Sequence, residues 1–183
     1  MTRILKLLIV EDSADDAELV MRILRRAGFE LDWVRVETEE QLRTQLHPDV
    51  ELVISDYRLP ELTGFRALEV IRQLDADVPF ILVSGTIGED IAVTAMRRGA
   101  SDYLMKDRLS RLGSAVSHAL EESRLRKERK HSVAEAERQL AELRRWQEVM
   151  VNREERLATL KSEVDELLSR LGEPRRYHQS DDS

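Results

Sequence analysis

The sequence predicts an α/β fold, a doubly wound parallel sheet of five strands, followed by one long helix. Three observations predict it. Short apolar runs alternate with amphipathic stretches five times up to about residue 123. Three of the runs are apolar almost throughout, as strands covered by helices on both faces must be. After Ser123 the runs stop, charged residues dominate, and apolar residues return only at spacings of three and four.

The elements follow in order. The first strand is Leu5–Val10, and it runs into Glu11 and Asp12. A helix over Asp15–Ala27 follows, with Ser13 and Asp16 as a capping pair and Gly28 as its stop. The second strand is Leu31–Val36, followed by a helix over Glu39–Leu46. The third strand, Leu52–Ser55, ends at Asp56, and the turn containing Pro60 and Gly64 leads into a helix over Phe65–Leu74. The fourth strand, Phe80–Ser84, is followed by Gly85 and Thr86 and by a helix over Ile91–Arg98, which Gly99 stops. The fifth strand, Asp102–Met105, ends at Lys106, and a last helix starts at Leu109. This (βα)5 alternation implies the doubly wound fold.

Beyond Ser123 the stretch RLRKERKH is almost entirely charged, and it reads as a solvated helix face. Two apolar sets then appear. The first is Val133, Ala136, Leu140, Leu143, Trp146 or Gln147, and Met150; the second is Leu157, Leu160, Val164, Leu167 and Leu171. Spacings of three and four mark a coiled-coil seam. Joining the sets needs two successive spacings of three, a local overwinding. The alternative is a break at Asn152, with Asn152 and Glu155 capping a new helix. The expected form is one long interrupted helix, ended by Gly172 and Pro174. The expected domains are therefore 1–123, a helical coiled-coil extension at 124–172 and a disordered tail at 173–183.

Composition narrows the function. The 183 residues contain no Cys, which excludes a disulfide framework, a thiolate nucleophile and a Cys-based zinc site. Ile4–Val10 is too short to span a bilayer and lacks a signal-peptide pattern, so a soluble cytoplasmic protein without membrane association is expected. Residues 1–121 carry 15 Lys and Arg against 22 Asp and Glu, whereas residues 122–183 carry 14 of each. An acidic globular part argues against nucleic acid as its partner and suits a cation.

In open α/β sheets, ligands bind beyond the carboxyl ends of the strands. Those ends hold Glu11, Asp12, Asp56, Ser84 and Lys106. Taken singly, each has an ordinary explanation as a helix-start acid, a turn residue or a surface lysine. Jointly they do not, because three crowded carboxylates repel one another and are stable mainly around a shared cation. An all-oxygen donor set with open positions suits Mg²⁺.

The pieces LIVEDS, LVISDYRLPELTG, FILVSGT and GASDYLMKD, in this order and spacing, resemble the receiver domain of two-component response regulators over about residues 3–122. The resemblance implies a flavodoxin-like sheet of order 2-1-3-4-5. It implies Asp56 as phosphoacceptor and Mg²⁺ held by Asp12 and Asp56 directly, by Glu11 through water and by the backbone carbonyl of Arg58. Ser84 and Lys106 would bind phosphoryl oxygens, and Tyr103 with Ser84 would be the switch. Two departures stand out. Glu11 occupies a position where Asp is commoner. Asp107 follows Lys106 where many receivers have Pro, so a trans peptide is expected. Arg58 and Thr86, beside the phosphate, are expected to tune its lifetime.

The expected partners are a sensor histidine kinase or phosphotransfer protein, a second copy through the coil, and a downstream protein target. No nucleic-acid reader motif follows the receiver, so output by protein–protein contact is expected. The chain is expected to be a signalling protein, not a turnover enzyme. A phosphatase using an Asp nucleophile needs a second Asp two residues on, where Arg58 stands. A coiled-coil scaffold with a silent receiver is the other alternative. His118 and His131 lack the following acidic residue of a kinase dimerisation element.

Overall fold

The computed structural model describes residues 4–74, 77–85 and 88–177. The chain divides into two compact units, Met1–Glu128 and Arg129–Ser183.

In the first unit, strands β1 (Ile4–Val10), β2 (Glu30–Val36), β3 (Leu52–Asp56), β4 (Phe80–Ser84) and β5 (Asp102–Met105) alternate with helices α1 (Ala14–Arg26), α2 (Glu39–Gln45), α3 (Gly64–Leu74) and α4 (Glu89–Arg97). The strands form one parallel sheet of order β2-β1-β3-β4-β5. The expected strands hold to within one residue at either end. The helix starts hold less well: α4 begins two residues early, at Glu89. At the other end of β5 a short 3-10 helix, Lys106–Arg111, precedes α5 (Leu112–Arg170). A kink inside the 3-10 helix sits at Arg108, whose φ of −120° and ψ of 28° are not helical. No peptide bond among the described residues is cis, so Lys106–Asp107 is trans as expected.

The period of two along β1 builds both layers of the core. Leu5, Leu7 and Ile9 face α1 and the start of α5, joining Val20, Met21, Leu24, Leu112 and Val116. Leu8 and Val10 face the other way, joining Leu42, Leu68, Ile71, Phe80 and Ala95 under α2, α3 and α4. Because β3 and β4 are buried on both faces, every residue in them is buried, which is why their sequences show no alternation. α1 ends where expected. Gly28 adopts φ 94°, and the N–H groups of Phe29 and Gly28 donate to the carbonyls of Leu24 and Arg25 at 3.1 and 3.0 Å, closing the end of the helix.

Register brings the strand ends level. Val10 pairs with Ser55, Asp56 with Val83, and Ser84 with Met105. Glu11, Asp56, Ser84 and Lys106 therefore emerge at one edge of the sheet.

α5 runs unbroken through Asn152 to Arg170. One long helix is thus present as expected, and the alternative break at Asn152 is absent, because no Gly or Pro lies between Gly113 and Gly172 and the stretch is rich in good helix formers. Its charged segment is solvated as expected, with Arg124 bonded to Glu121 and Glu128 and Arg126 bonded to Glu122. In the second unit the apolar positions of α5 are exposed, among them Leu140, Leu143, Leu157, Leu160 and Leu167. Gly172, at φ 77°, ends the helix. Of the tail expected to be disordered, residues 173–177 are described. The N–H groups of Arg176 and Tyr177 donate to Asp165 Oδ1 at 2.8 and 3.0 Å, and Lys161 Nζ lies 5.8 Å from the centroid of the Tyr177 ring. Residues 178–183 lie outside the described residues.

Candidate functional site

Each side chain of the site is positioned by the element that ends beside it. Glu11 and Asp12 leave β1 just before Ser13, whose hydroxyl accepts the N–H of Asp16 at 3.2 Å and starts α1. The Ser13 N–H in turn donates to Glu11 Oε1 at 3.1 Å. From the end of β2, Arg35 donates to the backbone carbonyls of Glu11 (3.1 Å) and Asp12 (2.9 Å), which fixes the loop that carries both acids.

Asp56 is the last residue of β3. The loop after it closes on itself through the Arg58–Thr63 bridge and through the Gly64 N–H, which donates to the Tyr57 carbonyl at 3.0 Å. Gly64 is required by space. A methyl group there would collide with Leu82 and lie 2.7 Å from the Asp56 carbonyl oxygen. This close packing holds the Asp56 backbone from beneath.

The structure brings Glu11, Asp12 and Asp56 together, with one carboxylate oxygen of each lying within 4.8 Å of the others. Glu11 and Asp56 are buried and Asp12 is exposed. Lys106 joins them from the end of β5, with Nζ 2.9 Å from Asp56 Oδ2 and 3.3 Å from Glu11 Oε2. The Arg58 N–H lies 3.4 Å from Asp56 Oδ1, so its peptide borders the cluster. Ser84 is buried at the end of β4, level with Met105 and so one residue from Lys106. Tyr103 is half-buried on β5 against the core under α3 and α4. Thr86 lies outside the described residues.

Burial pushes the Glu11 carboxyl up to about 7. The Ser13 N–H and the Lys106 charge oppose that shift, and the neighbouring Asp56 and Asp12 add to it. Burial alone would weaken the Lys106 charge, but Asp16, Asp56 and Glu11 outweigh it and hold the ammonium above its ordinary range. A crowd of acids held by one lysine is what a divalent cation would relieve. The donors are all oxygen, and one of them faces solvent, which fits Mg²⁺ with part of its water shell retained. Behind the acids a cavity of about 150 Å³ is walled by Ile9, Val20, Ile54, Val83 and Leu109, so one side of the site is apolar.

Two residues of the site were not evident from sequence. Arg35 reads as an ordinary residue of an alternating strand. Asp16 reads as a cap partner, yet its carboxylate is turned to Lys106 Nζ at 2.5 Å. The one available signal was its place in the first turn of the helix that begins at the acidic strand end.

Residues 7–117 match the response regulator receiver domain family. The chain is 34% identical over 133 residues to the regulatory protein AtoC of Escherichia coli (strain K12), covering 72% of this chain and 28% of AtoC. It is 32% identical over 112 residues to the luminescence regulatory protein LuxO of Vibrio campbellii, covering 61% of this chain and 24% of LuxO. The match thus spans under a third of the length of these relatives. Among solved structures, the signal receiver domain of a putative LuxO repressor protein from Vibrio parahaemolyticus superposes with a TM-score of 0.60 at 27% identity, over 68% of this chain and 96% of that one. NtrX from Brucella abortus gives 0.62 at 30% identity, over 70% of this chain and 30% of that one. This chain belongs to the response regulator receiver family of two-component signalling, with its receiver domain at residues 7–117.

Proposed function

We propose that the chain accepts a phosphoryl group on Asp56 from a phosphohistidine of a sensor kinase or phosphotransfer protein, in a Mg²⁺-dependent reaction, and passes the signal on by protein contact. The observation that carries this reading is the convergence of Glu11, Asp12 and Asp56 within 4.8 Å, with Lys106 2.9 Å from Asp56. Asp56, Asp12, Glu11 and the Arg58 carbonyl are the groups that would hold Mg²⁺. The ion, when bound, supplies positive charge that neutralises the transferring group.

The chain's own residues do the rest. An Asp56 carboxylate oxygen attacks phosphorus in line, forming the P–O bond as the P–N bond to the donor imidazole breaks. Lys106 leaves its carboxylate partners to pair with a phosphoryl oxygen. The buried Ser84 hydroxyl donates to another. Water later attacks the acyl phosphate and restores the carboxylate, a step that Arg58 and Thr86 modulate. The covalent charge draws Ser84 inward and lets Tyr103 turn, biasing the surface beside β5 between two states. The group is taken once and lost to water, so the chain is a signalling protein and not a turnover enzyme. We assign it to the cytoplasm, where donors charged from ATP are found.

Output runs through the receiver surface and through α5, whose exposed apolar stripe suits a second copy of the chain in a coiled-coil dimer. The acidic excess of the receiver disfavours nucleic acid as a direct partner.

Incubation with a small phosphodonor and Mg²⁺ tests the reading. Wild type should take up one phosphoryl group and Asp56→Asn none. A wild type that stays unlabelled supports a scaffold with a silent receiver. Continuous release of phosphate from many substrates supports a phosphatase.

A further inference from the structure

Lys106 holds one more carboxylate than the transfer chemistry needs. An ammonium has three N–H donors. Here three acids surround it: Asp56 Oδ2 at 2.9 Å, Glu11 Oε2 at 3.3 Å and Asp16 Oδ2 at 2.5 Å. Glu11 and Asp56 belong to the acids that a divalent ion would draw together. Asp16 does not. Its side chain, in the first turn of α1, is 43% exposed, against 6% for Glu11 and 10% for Asp56. It is therefore the acid that a bound cation leaves with the lysine.

A phosphoryl group on Asp56 brings oxygens that must be met by a Lys106 donor, and the shortest existing contact of Lys106 is with Asp16. We propose that Asp16 is a built-in competitor of the phosphoryl group, holding the third donor of Lys106 and so lowering the affinity of the site for a phosphoryl anion at Asp56. The inference rests on the reading of Asp56 as the phosphoacceptor. Two effects act in the same direction. The Asp16 contact must loosen before the ammonium can turn toward the new oxygens. The Asp16 charge also repels an anion bound to the same lysine, an effect that salt can screen because Asp16 is half-exposed. Among the described residues, the hydrogen bonds and ion pairs of this carboxylate go to Lys106 alone. The helix cap uses the Asp16 backbone N–H, which a substitution retains, and Asp15 keeps an acid in the first turn.

Calorimetric titration of the full-length chain with fluoroberyllate, a tetrahedral phosphoryl analogue, in excess Mg²⁺ tests this. Asp16→Asn should bind about three- to tenfold tighter than wild type at low salt, and the gain should fade toward about 1 M salt. Asp16→Glu, which keeps the charge, should return to the wild-type affinity. In a Lys106→Ala background the gain from Asp16→Asn should shrink, as coupling through the lysine requires. Mg²⁺ titrated alone should bind Asp16→Asn no more tightly than wild type, so tighter metal binding does not account for the gain. An Asp16→Asn affinity at or below wild type overturns the proposal. So does an equal gain in Asp16→Glu, or a full gain without Lys106. Should wild type and Asp56→Asn bind fluoroberyllate alike, or not at all, the phosphoacceptor reading falls first and this one falls with it.

Discussion

Residues 4–128 and residues 129–177 use similar apolar side chains in opposite ways. In the receiver, Leu8 and Ile54 are each 1% exposed, locked between sheet and helices. In the extension, Leu143 is 60% and Leu160 50% exposed. Burying one such side chain contributes about 1.5–3 kcal/mol. The receiver therefore carries its own stabilisation, whereas an isolated helix with an unburied stripe is marginal in water. The candidate chemical site sits where the backbone is over-determined, and the proposed recognition face sits where apolar surface is left over.

The largest effect that would sharpen this contrast is on assembly. Leu160→Glu puts one charge per protomer into the proposed seam, at a cost of several kcal/mol. Light scattering should show a dimer for wild type and a monomer for the variant, with phosphorylation of the receiver unchanged. A full-length monomer would break the contrast by leaving the stripe without a use.

Next in size is Lys106→Ala. It should slow phosphoryl uptake from a small donor by about 100- to 1,000-fold, as expected for removing one preorganised charge. The oligomeric state should not move, which separates the two regions from the other side.

Gly64→Ala comes third. The collision with Leu82 and with the Asp56 backbone should destabilise the receiver by about 1–3 kcal/mol in denaturant titration and should also slow phosphorylation, because the same strain displaces Asp56. An unchanged midpoint would show that the loop under Asp56 yields more easily than its packing implies.

The smallest effect lies at the surface, between α2 and α3. Glu39 is held down to about 2 by hydrogen bonds from Arg66 and Arg43. A folded pKa below the ordinary carboxylate value gives stability that is present above that value and is lost as pH falls toward the folded one. Glu39→Gln should therefore melt slightly below wild type at neutral pH, and the difference should vanish as pH drops from about 5 to about 2. Because the pair lies at the surface and Glu39 is part-exposed, added salt should shrink the gap too.

What could be read in advance follows from how each feature is encoded. β3 and β4 were legible because burial on both faces leaves unbroken apolar runs, and their ends marked Asp56 and Ser84 as candidates whose roles the resemblance then implied. Glu11 and Asp12 were legible for the same reason at the end of β1, whereas Lys106, after the half-buried β5, stood out through the resemblance of GASDYLMKD. Asp16 was not, because its residue type and position satisfy a helix-start pattern fully, and only the packing of the 3-10 helix that starts at Lys106 against α1 turns its carboxylate to Lys106. Arg35 was hidden in an alternating strand because its role is toward backbone carbonyls, which carry no sequence signature. The continuity of α5 through Asn152 stayed open in the sequence, because Asn152 and Glu155 form a local cap pattern and the seam changes phase nearby. Helix propensity over the whole stretch outweighs that local signal. The turn of Arg176 and Tyr177 back onto Asp165 depends on backbone donors, which no pattern of side chains announces.

The most direct test of the central claim is to map the modified residue after treatment with acetyl phosphate. A single labelled peptide containing Asp56 is expected, formed only with Mg²⁺ present and lost from both Asp56→Asn and Lys106→Ala over the same interval. Label on any other residue, or equal labelling of Asp56 with the metal chelated, would contradict it.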